Sequence, residues 1–179
     1  KEWNNDSVIA VMGLLALLPA WTAVVELKYL MPQGYLVLSC VIFVASVDVG
    51  AYFSGSYLGK TALAPELSPK KTWEGVAGGI ALCMVVTAIT ATLMHRHLFP
   101  LNLIDVCLLG LIGMVVTFWS VVGDLLESML KRNSDLKDSG SILPGHGGVL
   151  DRVDGVIAVA PIFVFLTLLF FGERLANAV

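Results

Sequence analysis

Residues 120–155 read SVVGDLLESMLKRNSDLKDSGSILPGHGGVLDRVDG, and the fold prediction starts from this stretch. It is rich in acidic and basic side chains, whereas the sequence on each side of it is strongly apolar. Its Pro-Gly-His-Gly-Gly segment at 144–148 predicts a tight turn whose backbone N–H groups could approach an anion. Charge is therefore concentrated between two apolar segments, and the nature of those segments determines the fold.

The acidic residues of this stretch fall into two groups with helical spacing. If 123–132 continues the preceding apolar run as a helix, Asp124, Glu127 and Lys131 follow each other at i, i+3 and i+7 and share one face. Asp151 and Asp154 are three residues apart where the next apolar segment begins. Both carboxylates are therefore expected on one side of a helix's first turn.

The composition of the whole chain indicates a membrane protein. Hydrophobic residues make up 57% of the 179 residues and charged residues 14%, against about 45–50% and 25% in soluble domains. The mean hydropathy is +0.85. A spanning helix needs about 20 mainly apolar residues, and the candidates are 8–25, 35–53, 76–94, 103–122 and 156–171. The runs do not alternate as barrel strands would, so we predict an all-α polytopic membrane protein with about five transmembrane helices.

The distribution of Lys and Arg predicts the orientation of these helices. With five spans, one side carries Lys1, Lys60, Lys70, Lys71, Lys131, Arg132, Lys137 and Arg152, and the other carries Lys28, Arg96 and Arg174. Basic residues favour the cytoplasmic side, so the polar loops 54–75 and 123–155 are predicted to be cytoplasmic and the C-terminus external. The formal net charge of −3 is too small to indicate a nucleic-acid partner.

Asp48 lies inside the second apolar run, followed one turn later by Tyr52. A carboxylate within a membrane span is costly and usually faces a polar cavity or a cation. The alternative is an acid that caps a helix or sits at the inner membrane boundary, because Asp48 is only about two turns from the loop.

The loop 54–75 contains a second polar motif, Ser-Pro-Lys-Lys-Thr-Trp-Glu at 68–74. Proline stiffens the approach, and the ammonium groups of Lys70 and Lys71 beside the Thr72 hydroxyl can bind phosphate oxygens. The alternative is an ordinary positively charged cytoplasmic loop.

Carboxylates interleaved with lysines and arginines at a membrane boundary suit a divalent cation that holds a phosphorylated substrate. Magnesium takes hard oxygen ligands, and phosphoryl or nucleotidyl transfer depends mainly on positioning and charge neutralisation. The alternative is a solvated loop in which acid–base pairs merely support a helix, and the residues alone leave both open. The sequence contains no GxxxxGK[ST] motif, which argues against a P-loop NTPase.

These motifs resemble those of the phosphatidate cytidylyltransferases, also called CDP-diacylglycerol synthases. The resemblance covers roughly residues 48–154. It is carried by Asp48-x-x-Ala51-Tyr52, Ser68-Pro69-Lys70-Lys71-Thr72-Trp73-Glu74-Gly75, Ser128-x-x-Lys131-Arg132, Lys137-Asp138-Ser139-Gly140 and Leu143-Pro144-Gly145-His146-Gly147-Gly148-x-x-Asp151-Arg152-x-Asp154. Members of the family carry additional N-terminal spans. The chain begins without a methionine, so we expect 1–179 to be a single transmembrane catalytic domain with further spans upstream.

The resemblance implies that CTP and phosphatidate react to give CDP-diacylglycerol and pyrophosphate for phospholipid biosynthesis, with Mg²⁺ and a possible K⁺ in the site. It implies metal binding by Asp124, Asp151 and Asp154, catalytic roles for these acids and Lys131, and Asp48 and Glu127 as nearby acids. Substrate contacts are implied for Lys70, Lys71, Thr72, Ser128, Arg132, Lys137, His146 and Arg152. It further implies a homodimer in a bacterial inner membrane, with the active site facing the cytoplasm.

Three other interpretations remain open. One is a related membrane cytidylyltransferase that uses another lipid phosphate, such as the archaeal ether-lipid enzyme. Another is a transporter or channel component in which Asp48 and Asp124 line an ion path. The third is a purely structural subunit, which explains the basic motifs poorly.

Overall fold

The computed structural model of the chain describes residues 6–65, 68–133, 139–140 and 148–177. In this part of the chain the α-helices are α1 (Asp6–Leu30), α2 (Tyr35–Leu58), α3 (Trp73–His97), α4 (Leu103–Asn133) and α5 (Leu150–Ala176). A short hairpin of β1 (Ala62–Ala64) and β2 (Ser68–Thr72) lies between α2 and α3. All five helices are long and apolar enough to cross a membrane, so the predicted fold class is confirmed.

The helices extend beyond the predicted apolar runs. The second run was predicted to end at residue 53, but α2 continues to Leu58, and α4 continues to Asn133. Hydropathy locates only the part of a helix that lies in hydrocarbon, whereas backbone hydrogen bonds continue into the interface. The extension of α4 confirms the helix expected at 123–132.

The β1–β2 hairpin was not predicted, because its strands are short and contain proline and lysine. Its antiparallel register pairs Ala62 with Thr72, and it is fastened to the start of α3. The Trp73 N–H donates to the Thr61 carbonyl (3.0 Å), and the Glu74 carboxylate accepts from the Thr61 N–H (3.2 Å). The Thr72 hydroxyl oxygen caps α3 by accepting from the Gly75 N–H (3.1 Å). Lys71 is thereby held two residues before the helix begins.

Glycines let α2 and α3 approach closely at the end that carries the hairpin. A Cβ at Gly50 would lie 2.5 Å from the Gly78 carbonyl oxygen, and one at Gly75 would lie 3.0 Å from the Ala51 carbonyl oxygen. Any side chain there would separate the two backbones, since real Cβ contacts are longer. This close contact, the Gly50–Gly78 seam, fixes the position of Asp48 in α2 relative to the hairpin.

A second close approach joins α4 to α5 at the same end of the molecule. A Cβ at Gly123 would overlap the Cβ of Ala158. On the other side of α5, a Cβ at Gly155 would lie 2.8 Å from the Val44 side chain of α2. Three helices therefore meet where Asp48, Asp124 and Asp154 are located.

At the opposite end of the bundle an ion pair joins α4 to α5. Arg174, late in α5, donates to the carboxylate of Asp105, early in α4 (2.6 Å). Asp105 also exchanges hydrogen bonds with Asn102, which caps α4. Between the two ends lies a buried apolar core that includes Phe43 and Phe163, whose ring centroids are 5.8 Å apart.

Candidate active site

One face of α4 carries the predicted row of charged side chains. Asp124, Glu127 and Lys131 lie on this face, and Lys71 reaches it from β2. The Lys71 ammonium donates to Asp124 Oδ2 at 2.5 Å, with each side chain about one quarter exposed (28% and 25%). The two polar loops predicted to share one side of the membrane therefore touch through this ion pair.

Lys131 links α4 to the first turn of α5. Its ammonium lies 3.1 Å from Glu127 Oε2 and 3.1 Å from Asp151 Oδ1. These side chains are mostly shielded from solvent, at 20% exposure for Lys131 and 12% for Asp151. One ammonium group thus bridges two acids that belong to different helices.

The Asp151 carboxylate accepts hydrogen bonds from several donors of this chain. Its carboxylate accepts from the backbone N–H groups of Ser139 (3.0 Å) and Gly148 (2.8 Å) in addition to the Lys131 ammonium. These contacts hold the described parts of the polar stretch against the start of α5. The carboxylate is turned toward these donors rather than toward the other acids.

Asp154 lies at the centre of the remaining acids. Its Oδ1 accepts from the following backbone N–H, of Gly155 (2.8 Å). Its charge acts on Asp48, Asp124 and Glu127. Acids from α2, α4 and α5 therefore share one electrostatic environment.

The other predicted site residues surround this cluster to differing extents. Lys70, Arg132 and Arg152 have exposed side chains, and Ser128 is partly exposed on α4. The Thr72 hydroxyl oxygen accepts from the Gly75 N–H in capping α3. Lys137 and His146 lie outside the described residues.

The acids of the cluster are candidate ligands for a divalent cation. Among the described residues, no three acidic, histidine or cysteine side chains are close enough together to hold one metal ion. The donor set nevertheless fits Mg²⁺, which prefers a few carboxylate oxygens together with water and substrate phosphate. Glu127 Oε1 is buried without a hydrogen-bond partner among the described residues, which leaves a hard oxygen available beside Asp154.

Sequence reasoning missed three kinds of contributor to this site. The backbone N–H of Ser139 has no side-chain signature, whereas the Gly148 N–H belongs to the turn at 144–148 that was predicted to approach an anion, and it donates to the Asp151 carboxylate. The role of Gly123 as the contact point with Ala158 depends on how the helices pack. The third is Ser120, whose hydroxyl is 1% exposed and unpartnered in the described part of the chain. Its i, i+4 spacing from Asp124 was a signal that could have identified it.

The fold and this site define a class: a polytopic helical membrane protein that gathers acids and lysines from separate elements at one end of its spans. Such a site suits anionic phosphates accompanied by a cation. The sequence model of the cytidylyltransferase family matches residues 2–170. The chain belongs to the cytidylyltransferase family.

Several relatives are bacterial proteins named phosphatidate cytidylyltransferase. The protein of Pseudomonas aeruginosa is 47% identical over 156 residues, which cover 87% of this chain and 55% of the relative. The Bacillus subtilis protein is 45% identical over 82% of this chain and 52% of the relative. The Haemophilus influenzae protein is 43% identical over 92% of this chain and 59% of the relative. The chain therefore spans about half the length of the curated relatives it matches.

Proposed function

We propose that this protein transfers a cytidylyl group from CTP to phosphatidate, giving CDP-diacylglycerol and pyrophosphate for phospholipid biosynthesis. The main observation behind this proposal is that Lys71, Lys131 and acids from three helices lie together at one end of a membrane-spanning bundle. The names of the bacterial relatives support the same reaction.

The chemistry requires positioning and charge neutralisation rather than a protein nucleophile. A phosphatidate phosphate oxygen forms a bond to the α-phosphorus of CTP, and the bond from that phosphorus to the pyrophosphate oxygen breaks. A phosphate monoester is already substantially ionised near neutral pH, so no general base is needed. Lys71 and Lys131 orient phosphate oxygens, and the exposed Lys70, Arg132 and Arg152 extend the basic surface toward solvent, where CTP arrives.

We propose Asp124, Asp151 and Asp154 as Mg²⁺ ligands, with Asp48 and Glu127 beside them and a monovalent cation such as K⁺ sharing the acids. When bound, Mg²⁺ neutralises charge on the nucleotide phosphates. Support is stronger for Asp124 and Asp154, whose charges act on each other. Asp151 already accepts hydrogen bonds from two backbone N–H groups and from Lys131.

The proposed setting is a bacterial inner membrane with this site facing the cytoplasm and with two copies forming a homodimer. The clustering of Lys and Arg at the end that carries the site supports the orientation, and the bacterial relatives support the membrane. No nucleic-acid partner is proposed. The alternative of an ion path has less support, because Asp48 and Asp124 lie together with Asp154 toward one end of the bundle, and Asp105 toward the other end is held by Arg174.

The test is an assay of purified protein in lipid with labelled CTP, phosphatidate and Mg²⁺. Labelled CDP-diacylglycerol is the expected product, and Asp124→Asn is expected to abolish it while the protein remains folded by its thermal unfolding profile. An active Asp124→Asn variant would remove Asp124 from the site. No product from the unaltered protein, under conditions where a bacterial relative is active, would overturn the proposal.

A further inference from the structure

The Lys71–Asp124 ion pair joins a side chain of the hairpin to the acidic face of α4. The Lys71 ammonium lies 2.5 Å from Asp124 Oδ2, although the two residues are 53 positions apart in the chain. Neither side chain is fully buried, since they are 28% and 25% exposed. Water, and a phosphate that arrives from water, can therefore reach both members of the pair.

The backbone of Lys71 is held in place, so its side chain can change partner by itself. The next residue, Thr72, pairs with Ala62 across the hairpin and caps α3. A lysine side chain has a flexible stem with a compact charge at its end. The ammonium can therefore leave Asp124 for another anion without movement of the hairpin or of the helices.

Lys131 is bound more firmly than Lys71. Its ammonium bridges Glu127 Oε2 and Asp151 Oδ1, each at 3.1 Å, and its side chain is the less exposed of the two lysines, at 20%. Within the described part of the chain, an incoming anion would break one ion pair at Lys71 but two at Lys131. Lys71 is therefore the lysine that exchanges its partner more easily.

The Lys71–Asp124 pair also affects when Asp124 can bind a metal cation. While the ammonium stays at Oδ2, a divalent cation at this carboxylate would lie beside a like charge, and the repulsion opposes its binding. A nucleotide phosphate removes this conflict, because it offers Lys71 a charge-assisted hydrogen bond and supplies further oxygen ligands to the cation. Every charge then keeps a partner of opposite sign.

We propose that Lys71 is an exchangeable counter-ion of Asp124. It pairs with this carboxylate when the site holds no nucleotide and moves to a phosphate oxygen when CTP binds. Asp124 becomes available to a divalent cation at the same step, so nucleotide and cation bind cooperatively. Each raises the affinity of the site for the other by the same factor. This inference rests on the proposed function for the identity of the nucleotide.

The test measures the affinity for Mn²⁺, a paramagnetic substitute for Mg²⁺, by electron paramagnetic resonance of the protein in phosphatidylcholine vesicles without nucleotide. Lys71→Met removes the internal counter-ion and is expected to raise this affinity about 10-fold, within the usual range of coupling between two sites. Lys71→Arg keeps the charge and is expected to keep the low affinity. No gain in Lys71→Met would overturn the proposal.

Two further variants locate the gain. Lys70→Met removes the neighbouring exposed lysine of the same strand, and a much smaller change in Mn²⁺ affinity is expected. Asp124→Asn in the Lys71→Met background is expected to abolish the gain. Equal gains in Lys70→Met and Lys71→Met, or a gain that persists without the Asp124 carboxylate, would overturn the proposal.

A second titration adds the α,β-methylene analogue of CTP, which cannot release pyrophosphate, with free Mn²⁺ fixed by dialysis. The analogue is expected to raise Mn²⁺ affinity more in the unaltered protein than in Lys71→Met, and equal increases would overturn the proposal. Cytidylyl transfer assayed on the same samples separates the two proposals. An active protein without the Lys71→Met gain overturns this inference alone, and an inactive protein with that gain overturns only the proposed function.

Discussion

The two ends of the α2–α3 pair differ in how the helices meet. At the acidic end glycines bring the backbones together, and Lys71 and Asp48 are held in fixed positions. At the other end larger side chains such as Ile42 and Ile89 line an apolar cavity. Precise packing is thus found where charges must be positioned, and looser packing where only hydrocarbon is in contact.

The two ends also use ion pairs differently. At the acidic end, Lys71 and Lys131 pair with acids that the proposed reaction needs, and substrate phosphates can compete for both lysines. At the opposite end, Arg174 pairs with a buried Asp105 that also caps α4. The first arrangement can exchange partners, whereas the second joins two helix termini. Substitutions at the two ends should therefore separate activity from stability.

The largest effect is expected for Lys131→Met. Removing the ammonium leaves Glu127 and Asp151 without the cation that they share. We expect cytidylyl transfer to fall by on the order of 10²- to 10³-fold, as when one electrostatic partner is removed from an active site. The matched control is Arg132→Met on the exposed neighbouring residue, for which a smaller loss is expected. Equal losses in steady-state assays of the two variants would contradict a special role for Lys131.

The second-largest effect is expected at the close contact between α4 and α5, where Gly123 meets Ala158. Gly123→Leu would force a side chain into Ala158, and overpacking of this kind costs about 1–3 kcal/mol. Asp124 would move with the helix, so activity should fall as well. Gly110→Leu is the control, because a Cβ at Gly110 has no neighbour within 4 Å on the same helix. Chemical unfolding should distinguish the two variants, and equal stability would refute the close contact at Gly123.

The sequence predicted the helices because they follow from local regularities, whereas the meeting of acids from α2, α4 and α5 depends on how the helices pack. Apolar runs show where spans occur, and the i, i+3, i+7 spacing correctly placed Asp124, Glu127 and Lys131 on one face. The Lys71–Asp124 pair could not be read from spacing, because it joins residues on separate elements. The same holds for the apolar cavity, whose lining residues come from α2, α3, α4 and α5. Tertiary geometry of this kind is set by packing, which a single sequence shows only through small residues such as Gly50 and Gly78.

A stability effect without a catalytic one is expected at the opposite end. Arg174→Gln removes the charged partner of Asp105, whose side chain is 6% exposed and keeps the hydrogen bond from the Asn102 N–H, and a hydrogen bond to a charged group contributes about 1.5–3 kcal/mol. We expect the lower part of that range, since Arg174 is itself 43% exposed and water can enter. Arg96→Gln, at an exposed position of the same end, should change neither stability nor activity. Loss of cytidylyl transfer in Arg174→Gln at temperatures where it remains folded would contradict the division between the two ends.

The smallest effect, and the most direct test of how the hairpin is positioned, is expected for Thr72→Ala. The Thr72 hydroxyl caps α3 by accepting from the Gly75 N–H, and losing such a cap typically costs about 1 kcal/mol. Thr92→Ala is the control, because its hydroxyl donates only to the Ala88 carbonyl of its own helix. If the cap mainly fixes the start of α3, Thr72→Ala should also loosen the adjacent Lys71 and raise the KM for CTP more than it lowers kcat. Thr72→Ser keeps the capping oxygen and should restore both stability and KM. If serine restores stability but not KM, the methyl group rather than the cap positions Lys71.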